Sequence, residues 1–369
     1  MHRRLLGACL AWAVVFFAPA VGRGDLAWHL DRIELDRLLA DSALARLDGR
    51  GQAIAVLDTG VDTAHVCFAG RAGYGVNFAA DTPPRQPDFS DGMGHGTQVA
   101  SIAAGRSVTI SAGSHAGTTF QGPASRAGVV SVRVLASNGS GSFSDILEGL
   151  HWVRDHHRQY GIGVVNLSLG TARAYLDPQT LIEDSQLAEQ VNAAVTALRA
   201  EGIVTVAAGG NAGAEGLSFP AILEPVFSVG ATGRDDALTG FSNRSARLDM
   251  VAPGDDIWGA TFLPSSPDVH GYATYGDGTS FASPLVAGAV LLVRQAVLEK
   301  TGRYPSAERV EAILKDSAVV FDRDGYRYRR LDVYAAVTQA AAVPEPVSMW
   351  AALLAGAVAL KLRRSRLRR

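Results

Sequence analysis

Apolar positions along the middle of the chain fall into two alternating periods. Five short runs, Ala53–Leu57, Val129–Leu135, Gly163–Leu167, Ile203–Ala207 and Val226–Ala231, are rich in β-branched residues and bounded by Gly or polar residues. They predict strands. Helical spacing marks Gln98–Ala104, Ser144–His157, Ile182–Ala200, Phe281–Leu298, Ser306–Lys315 and Asp332–Ala341. Ser306 is placed as an N-cap, with Glu308 early in the turn. Apolar strands alternating with helices predict an α/β fold, a three-layer sandwich around one mostly parallel sheet. No repeat or second domain is marked, and the Gly-rich patches at Gly73–Gly75, 137–142 and Gly209–Gly213 read as loops. Ligands of such sheets gather at the carboxyl ends of the strands.

The two ends follow other patterns. Residues 1–22 carry Arg3 and Arg4, an apolar stretch and small residues near Ala18–Gly22, the layout of a secretory signal peptide. Residues 23–50 form a short N-terminal segment, and 51–342 the main domain. At 343–369 a Pro-Glu-Pro triplet (344–346) precedes the apolar run Val347–Leu360 and six basic residues. That run is at the short limit for a membrane span, and its basic cluster would stay on the cytoplasmic side. The tail resembles the PEP-CTERM sorting signals of Gram-negative bacteria. The resemblance implies an exosortase as partner, at least transient membrane attachment, and delivery to the cell envelope or outside.

Net charge changes meaning once the ends are set apart. The whole chain is at −2, but residues 1–22 and 347–369 hold eight Lys/Arg and no Asp or Glu. Residues 23–346 keep 26 of the 34 basic residues against all 36 acidic ones, a net of −10. An acidic domain lacks the basic footprint that nucleic acid requires. Of two cysteines, Cys9 lies in the leader, so Cys67 is alone and reads as a small buried filler.

Four polar residues sit where strands end or helices begin. Asp58 follows five apolar residues directly, which predicts partial burial; it reads as an Asx-turn or as a functional carboxylate. His95 lies between Gly94 and Gly96 at a helix start, open to substrate and suited to acid–base work. Asn211 follows a strand and two glycines, either as a left-handed turn residue or as an oxyanion donor. Ser280 in GDGTSFASPLVAGAVL stands where a loop becomes a helix, as a cap or as a nucleophile beside free backbone N–H groups. Pro284 is placed in the first helical turn. His65, His115, His151, His156 and His157 lack such settings and read as surface or packing residues.

Taken together, Asp58, His95 and Ser280 occur in the chain order of subtilisin. The sequence resembles the subtilisin-like serine proteases, or subtilases, over roughly residues 50–340. The matching motifs are VLDTGVD (56–62), GHGTQVA (94–100), AAGGNAG (207–213) and GTSFASP (278–284). Segments 139–153, 164–170 and 241–254 are similar as well. The resemblance implies a secreted serine endopeptidase in which Ser280 is nucleophile, His95 general base and acid, and Asp58 its orienting carboxylate. Asn211, with the Ser280 backbone N–H, forms the oxyanion hole. It further implies a substrate-pairing strand at Ser168, Leu169 and Gly170, an opposite wall at Gly139–Ser144 that includes Gly141, Ser142 and Phe143, and a cis proline at Phe219-Pro220.

The departures are specific. Residues 23–50 leave less room than the prodomain of secreted members, Gln98 replaces a frequent His, and Phe281 a frequent Met. The chemistry requires no cofactor. Calcium sites are common in the family, but no ligand set is assigned; Asp81, Asp88, Asp91, Asp235 and Asp236 sit in loops and read as exposed, solvating carboxylates. A non-catalytic peptide-binding envelope protein on the same fold is the rival reading; acyl transfer to an amine is a second.

Overall fold

The computed structural model describes residues 13–14, 26–71, 73–79, 81, 89–111, 115–263, 265 and 270–343. The tail beyond Val343, Asp88, and the leader apart from Ala13–Val14 lie outside the described residues. Its main strands are β1 (Ala53–Asp58), β2 (Tyr74–Asn77), β3 (Gly128–Arg133), β4 (Ile162–Leu167), β5 (Val204–Ala208), β6 (Val226–Thr232), β7 (Met250–Pro253), β8 (Ile257–Thr261), β9 (Tyr272–Gly276), β10 (Val319–Arg323) and β11 (Tyr326–Arg330). Among the described residues nine of these form one sheet in the order β10-β11-β7-β6-β5-β4-β1-β3-β2. Its pairings are parallel except for the edge hairpin β10–β11.

The helices are α1 (Trp28–Arg32), α2 (Leu35–Ala40), α3 (His95–Ala104), α4 (Phe143–Tyr160), α5 (Pro178–Asp184), α6 (Gln186–Ala200), α7 (Thr279–Thr301), α8 (Ala307–Ser317) and α9 (Val333–Ala341). Two cores show how they cover the sheet. Along β1, Ile54 and Val56 face one core with residues of α3, α7, α8 and α9. Ala53, Ala55 and Leu57 face the other, with residues of α4 and α6. Alternate side chains of one strand thus enter opposite cores, and the strand is apolar throughout because neither face meets water. The expected three-layer sandwich is present.

Helix α7 is long and apolar enough to cross a membrane, yet 94% of its apolar window is buried inside the domain. An all-round apolar helix is what the middle of a large core requires. Residues of α1 and α2 also join the core, with Leu30, Ile33, Leu35 and Leu38 buried.

Two expectations need correction, and one element goes unpredicted. The stretch expected as one helix over 182–200 divides at Ser185, which takes an extended backbone; its hydroxyl caps α6 by accepting from Ala188 N. Pro284 is not in the first turn, because α7 begins five residues earlier. The edge hairpin β10–β11 escaped the pattern reading although Asp324-Gly325 marks its turn; both residues have positive φ (52° and 81°), as a tight hairpin of this type requires.

Candidate active site

The four singled-out residues meet at the carboxyl ends of the parallel strands. Asp58 ends β1 and is fully buried. His95 opens α3 behind Gly94, whose φ of 104° suits glycine. A Cβ on Gly96 would lie 2.0 Å from the Gly60 carbonyl oxygen, so the helix start presses on the β1 loop as only glycine allows. This approach brings His95 Nδ1 to 2.8 Å from Asp58 Oδ1. Asp58 Oδ1 also accepts from the Thr59 backbone N–H at 2.7 Å. With Nδ1–H donating to Asp58, the lone pair of Nε2 is free to act as a base. Burial lowers the affinity of His95 for its proton, but the charge of Asp58, its hydrogen bond and the charge of Asp91 outweigh it and raise the pKa above 6.5. The Phe281 ring packs against the imidazole at 5.6 Å between centroids.

Ser280 is the second residue of α7, and Gly278 is the N-cap. Ser280 is therefore not the cap. Pro284 has no N–H for the Ser280 carbonyl four residues earlier, so that helical bond is missing. Ser168 Oγ donates to the freed carbonyl at 2.7 Å, and the Ser280 hydroxyl donates to the Ser168 carbonyl at 3.2 Å. The end of β4 and the start of α7 are thus fastened by one serine, which Asn166 Nδ2 supports at 2.9 Å. Asn211 follows β5. The left-handed turn position belongs to Gly210 (φ 112°), not to Asn211. Asn211 Oδ1 accepts from the Thr279 N–H at 2.9 Å and the Thr279 hydroxyl at 2.8 Å. Since a backbone N–H can only donate, the amide orientation is fixed and Nδ2 is the side left for other partners.

His95, Ser280 and Asn211 line one open cleft of about 720 Å3. Ser168, Leu169, Gly170, Gly141 and Phe143, singled out in the sequence as substrate-binding, line it too. Ser142 does not. It is the N-cap of α4, accepting from Asp145 N in a reciprocal capping box, and Ser140 is the neighbouring serine on the wall. Leu135, Ile146 and Thr171 are lining residues that the sequence reading did not single out. The Phe219-Pro220 peptide bond is cis.

The chain as a whole has relatives among known proteins. The model of the subtilase family matches residues 49–343. The chain belongs to the subtilase family. It is similar to Subtilisin-like protease 3 of Pseudogymnoascus destructans, 38% identical over 288 residues that cover 74% of this chain and 60% of that protein. Subtilisin Savinase of Lederbergia lenta is 37% identical over 272 residues, covering 73% of this chain and 85% of the relative. A solved structure titled as a cold adapted subtilisin-like serine proteinase is 30% identical, with a TM-score of 0.64, over 84% of this chain and 98% of its own. The subtilase spans about 60% of the length of the first curated relatives it matches.

Its loop carboxylates depart from the exposed reading in two places. Asp91 is buried, at 3% exposure, and gathers hydrogen-bond donors. Asp236 is paired with Arg32 at 2.6 Å and Arg330 at 3.4 Å. Asp81 pairs with Arg133 at 2.9 Å, and Asp235 is exposed. Among the described residues no group of three or more His, Cys, Asp or Glu is placed to hold a metal ion. Cys67 is buried beside His65, with its thiol pKa raised by burial.

Proposed function

We propose that the protein is an exported serine endopeptidase that hydrolyses peptide bonds through Asp58, His95 and Ser280. The observation that carries this reading is the 2.8 Å His95–Asp58 hydrogen bond at a cleft that Ser280 and Asn211 also line. The substrate is a peptide or unfolded protein segment. It lies extended between Ser168–Gly170 and Gly139–Gly141 and pairs with them as an added strand.

Reaction begins when the Ser280 hydroxyl turns from the Ser168 carbonyl to His95 Nε2. Oγ attacks the substrate carbonyl carbon while Nε2 takes its proton. The carbonyl electrons move to oxygen, which Asn211 Nδ2 and the Ser280 backbone N–H receive. That N–H is one of the free donors at the start of α7. His95 then gives the proton to the amine nitrogen, the C–N bond breaks and the acyl group stays on Oγ. Water, deprotonated by His95, attacks the ester carbonyl; the acyl C–Oγ bond breaks, the acid product leaves, and His95 returns the proton to Ser280 Oγ. Buried Asp58 orients the ring and stabilises the imidazolium throughout. No cofactor takes part.

Export rests on residues 1–22, and envelope delivery by an exosortase on the PEP-CTERM-like tail. The deciding experiment treats the purified protein with a fluorophosphonate probe beside Ser280→Ala and His95→Ala, with casein cleavage followed in parallel. Labelling and cleavage that vanish in both variants are expected. A folded protein that neither labels nor cleaves overturns the reading in favour of a peptide-binding role.

A further inference from the structure

The loop before α3 holds a buried carboxylate that the steps above do not use. Asp91 accepts five hydrogen bonds. Oδ1 receives Thr59 Oγ1 at 2.8 Å, Met93 N at 2.9 Å and Gly94 N at 2.8 Å. Oδ2 receives Thr97 N at 2.8 Å and Thr97 Oγ1 at 2.6 Å. Among the described residues it pairs with no Lys or Arg. An ordinary carboxylate at a helix start would satisfy local amides and stop there. Asp91 reaches further, to Thr59, the residue next to Asp58.

The two hydroxyls explain what this achieves. A threonine hydroxyl has one proton and two lone pairs. With both protons drawn to Asp91, the lone pairs turn outward. Thr59 Oγ1 accepts from Gly96 N, next to His95, at 3.0 Å. Thr97 Oγ1 accepts from Asp62 N, four residues beyond Asp58, at 2.9 Å. One carboxylate therefore stitches the β1 loop to the first turn of α3 at two points, Thr59–Gly96 and Asp62–Thr97, beside the Asp58–His95 pair.

We infer that Asp91 is a positioning residue: it holds Asp58 and His95 in register by orienting the hydroxyls of Thr59 and Thr97. This rests on the serine endopeptidase reading. Its negative charge also favours the imidazolium that forms during attack. The charged groups bearing on His95 are Asp58 and Asp91. Arg133, whose guanidinium reaches the Ser90 carbonyl, is bound to Asp81.

The test is Asp91→Asn, which keeps the size but turns one acceptor into a donor that faces another donor. Expected is a fall in kcat of about 10–100-fold with KM changed less than about threefold. The acid limb of kcat/KM moves to lower pH, because losing a nearby negative charge makes His95 easier to deprotonate. Unfolding midpoints are measured alongside. Thr59→Val, which removes one stitch and no charge, should lower kcat less and leave the acid limb in place; it serves as the decisive variant if Asp91→Asn does not fold. NMR titration of His95 in Ser280→Ala, with and without Asp91→Asn, reads the charge effect in the absence of catalysis. Full kcat in Thr59→Val, or an unmoved His95 titration together with wild-type kcat in Asp91→Asn, overturns the inference. Wild-type protein that cleaves nothing overturns the endopeptidase reading instead, and the His95 titration still reports on Asp91.

Discussion

Two His–Asp pairs take their carboxylates from the end of β1 and the loop that follows it. Asp58 holds His95 at 2.8 Å, and Asp62, four residues on, holds His270 at 2.9 Å. The bond chemistry is the same, yet the surroundings differ. Asp58 is fully buried and its imidazole opens α3 in the cleft that Ser280 lines. The His270 side chain is 38% exposed, and neither it nor Asp62 lines that cleft. A third imidazole, His65, which does sit on the loop after β1, lies 3.1 Å from the Cys67 sulfur, but burial raises the thiol pKa and so keeps the thiolate from forming. The comparison teaches that a His–acid or His–thiol pair is common structure. It becomes a site when a nucleophile, an oxyanion donor and a substrate groove converge on it.

The largest effect that sharpens this contrast belongs to the cleft. Ser280→Ala should lower kcat on the order of 10⁶-fold while leaving the unfolding midpoint near wild type, read by peptide hydrolysis and calorimetry. Asn211→Ala should cost about 10²–10³-fold in kcat, because one of the proposed oxyanion donors is lost. KM changed in proportion, with kcat intact, would instead make Asn211 a ground-state contact.

Next comes a buried imidazole that belongs to neither pair. His29 is fully buried, and both ring nitrogens lack partners among the described residues. Burial first, then the charge of Arg234, lowers its pKa from 6.5 to about 3. The unfolded chain binds this proton near pH 6.5 and the folded one only near pH 3. The unfolded state therefore holds more protons between these values, and stability is lost as pH falls through the window, by up to about 5 kcal/mol. Urea unfolding of Ser280→Ala at pH 7 and pH 4 should show a gap that narrows when His29→Leu is added. A gap of unchanged size would place the acid sensitivity elsewhere.

The smallest effect is the control that can break the comparison. His270→Ala should leave kcat/KM within about twofold, since exposed pairs contribute little. A hundredfold loss there would mean that the second His–Asp pair belongs to the machinery after all.

Much of this was legible in the chain. The five apolar runs became strands β1, β3, β4, β5 and β6, because residues buried on both faces carry a continuous apolar signal. The edge strands β2, β10 and β11 are partly exposed and weakly patterned, and were missed. Asp58, His95, Asn211 and Ser280 could be singled out because small residues and helix starts surround them. Asp91 was misread as a solvating residue, since nothing in DGMGHGT says that two threonines from different elements will turn their hydroxyls toward it.

What the sequence alone determined is local and additive: strand and helix periods, the small residues around Ser280 and His95, the chain order of Asp58, His95 and Ser280, and family membership through its motifs. Tertiary structure decided the rest. It chose which carboxylate is buried, which His–Asp pair opens onto the cleft that Ser280 lines, and which serine of the 139–144 wall lines that cleft. The physical reason is that burial and hydrogen bonding depend on residues distant in the chain. The parallel register of β1 with β3 and β4, and the approach of Gly96 to Gly60, bring those partners within reach.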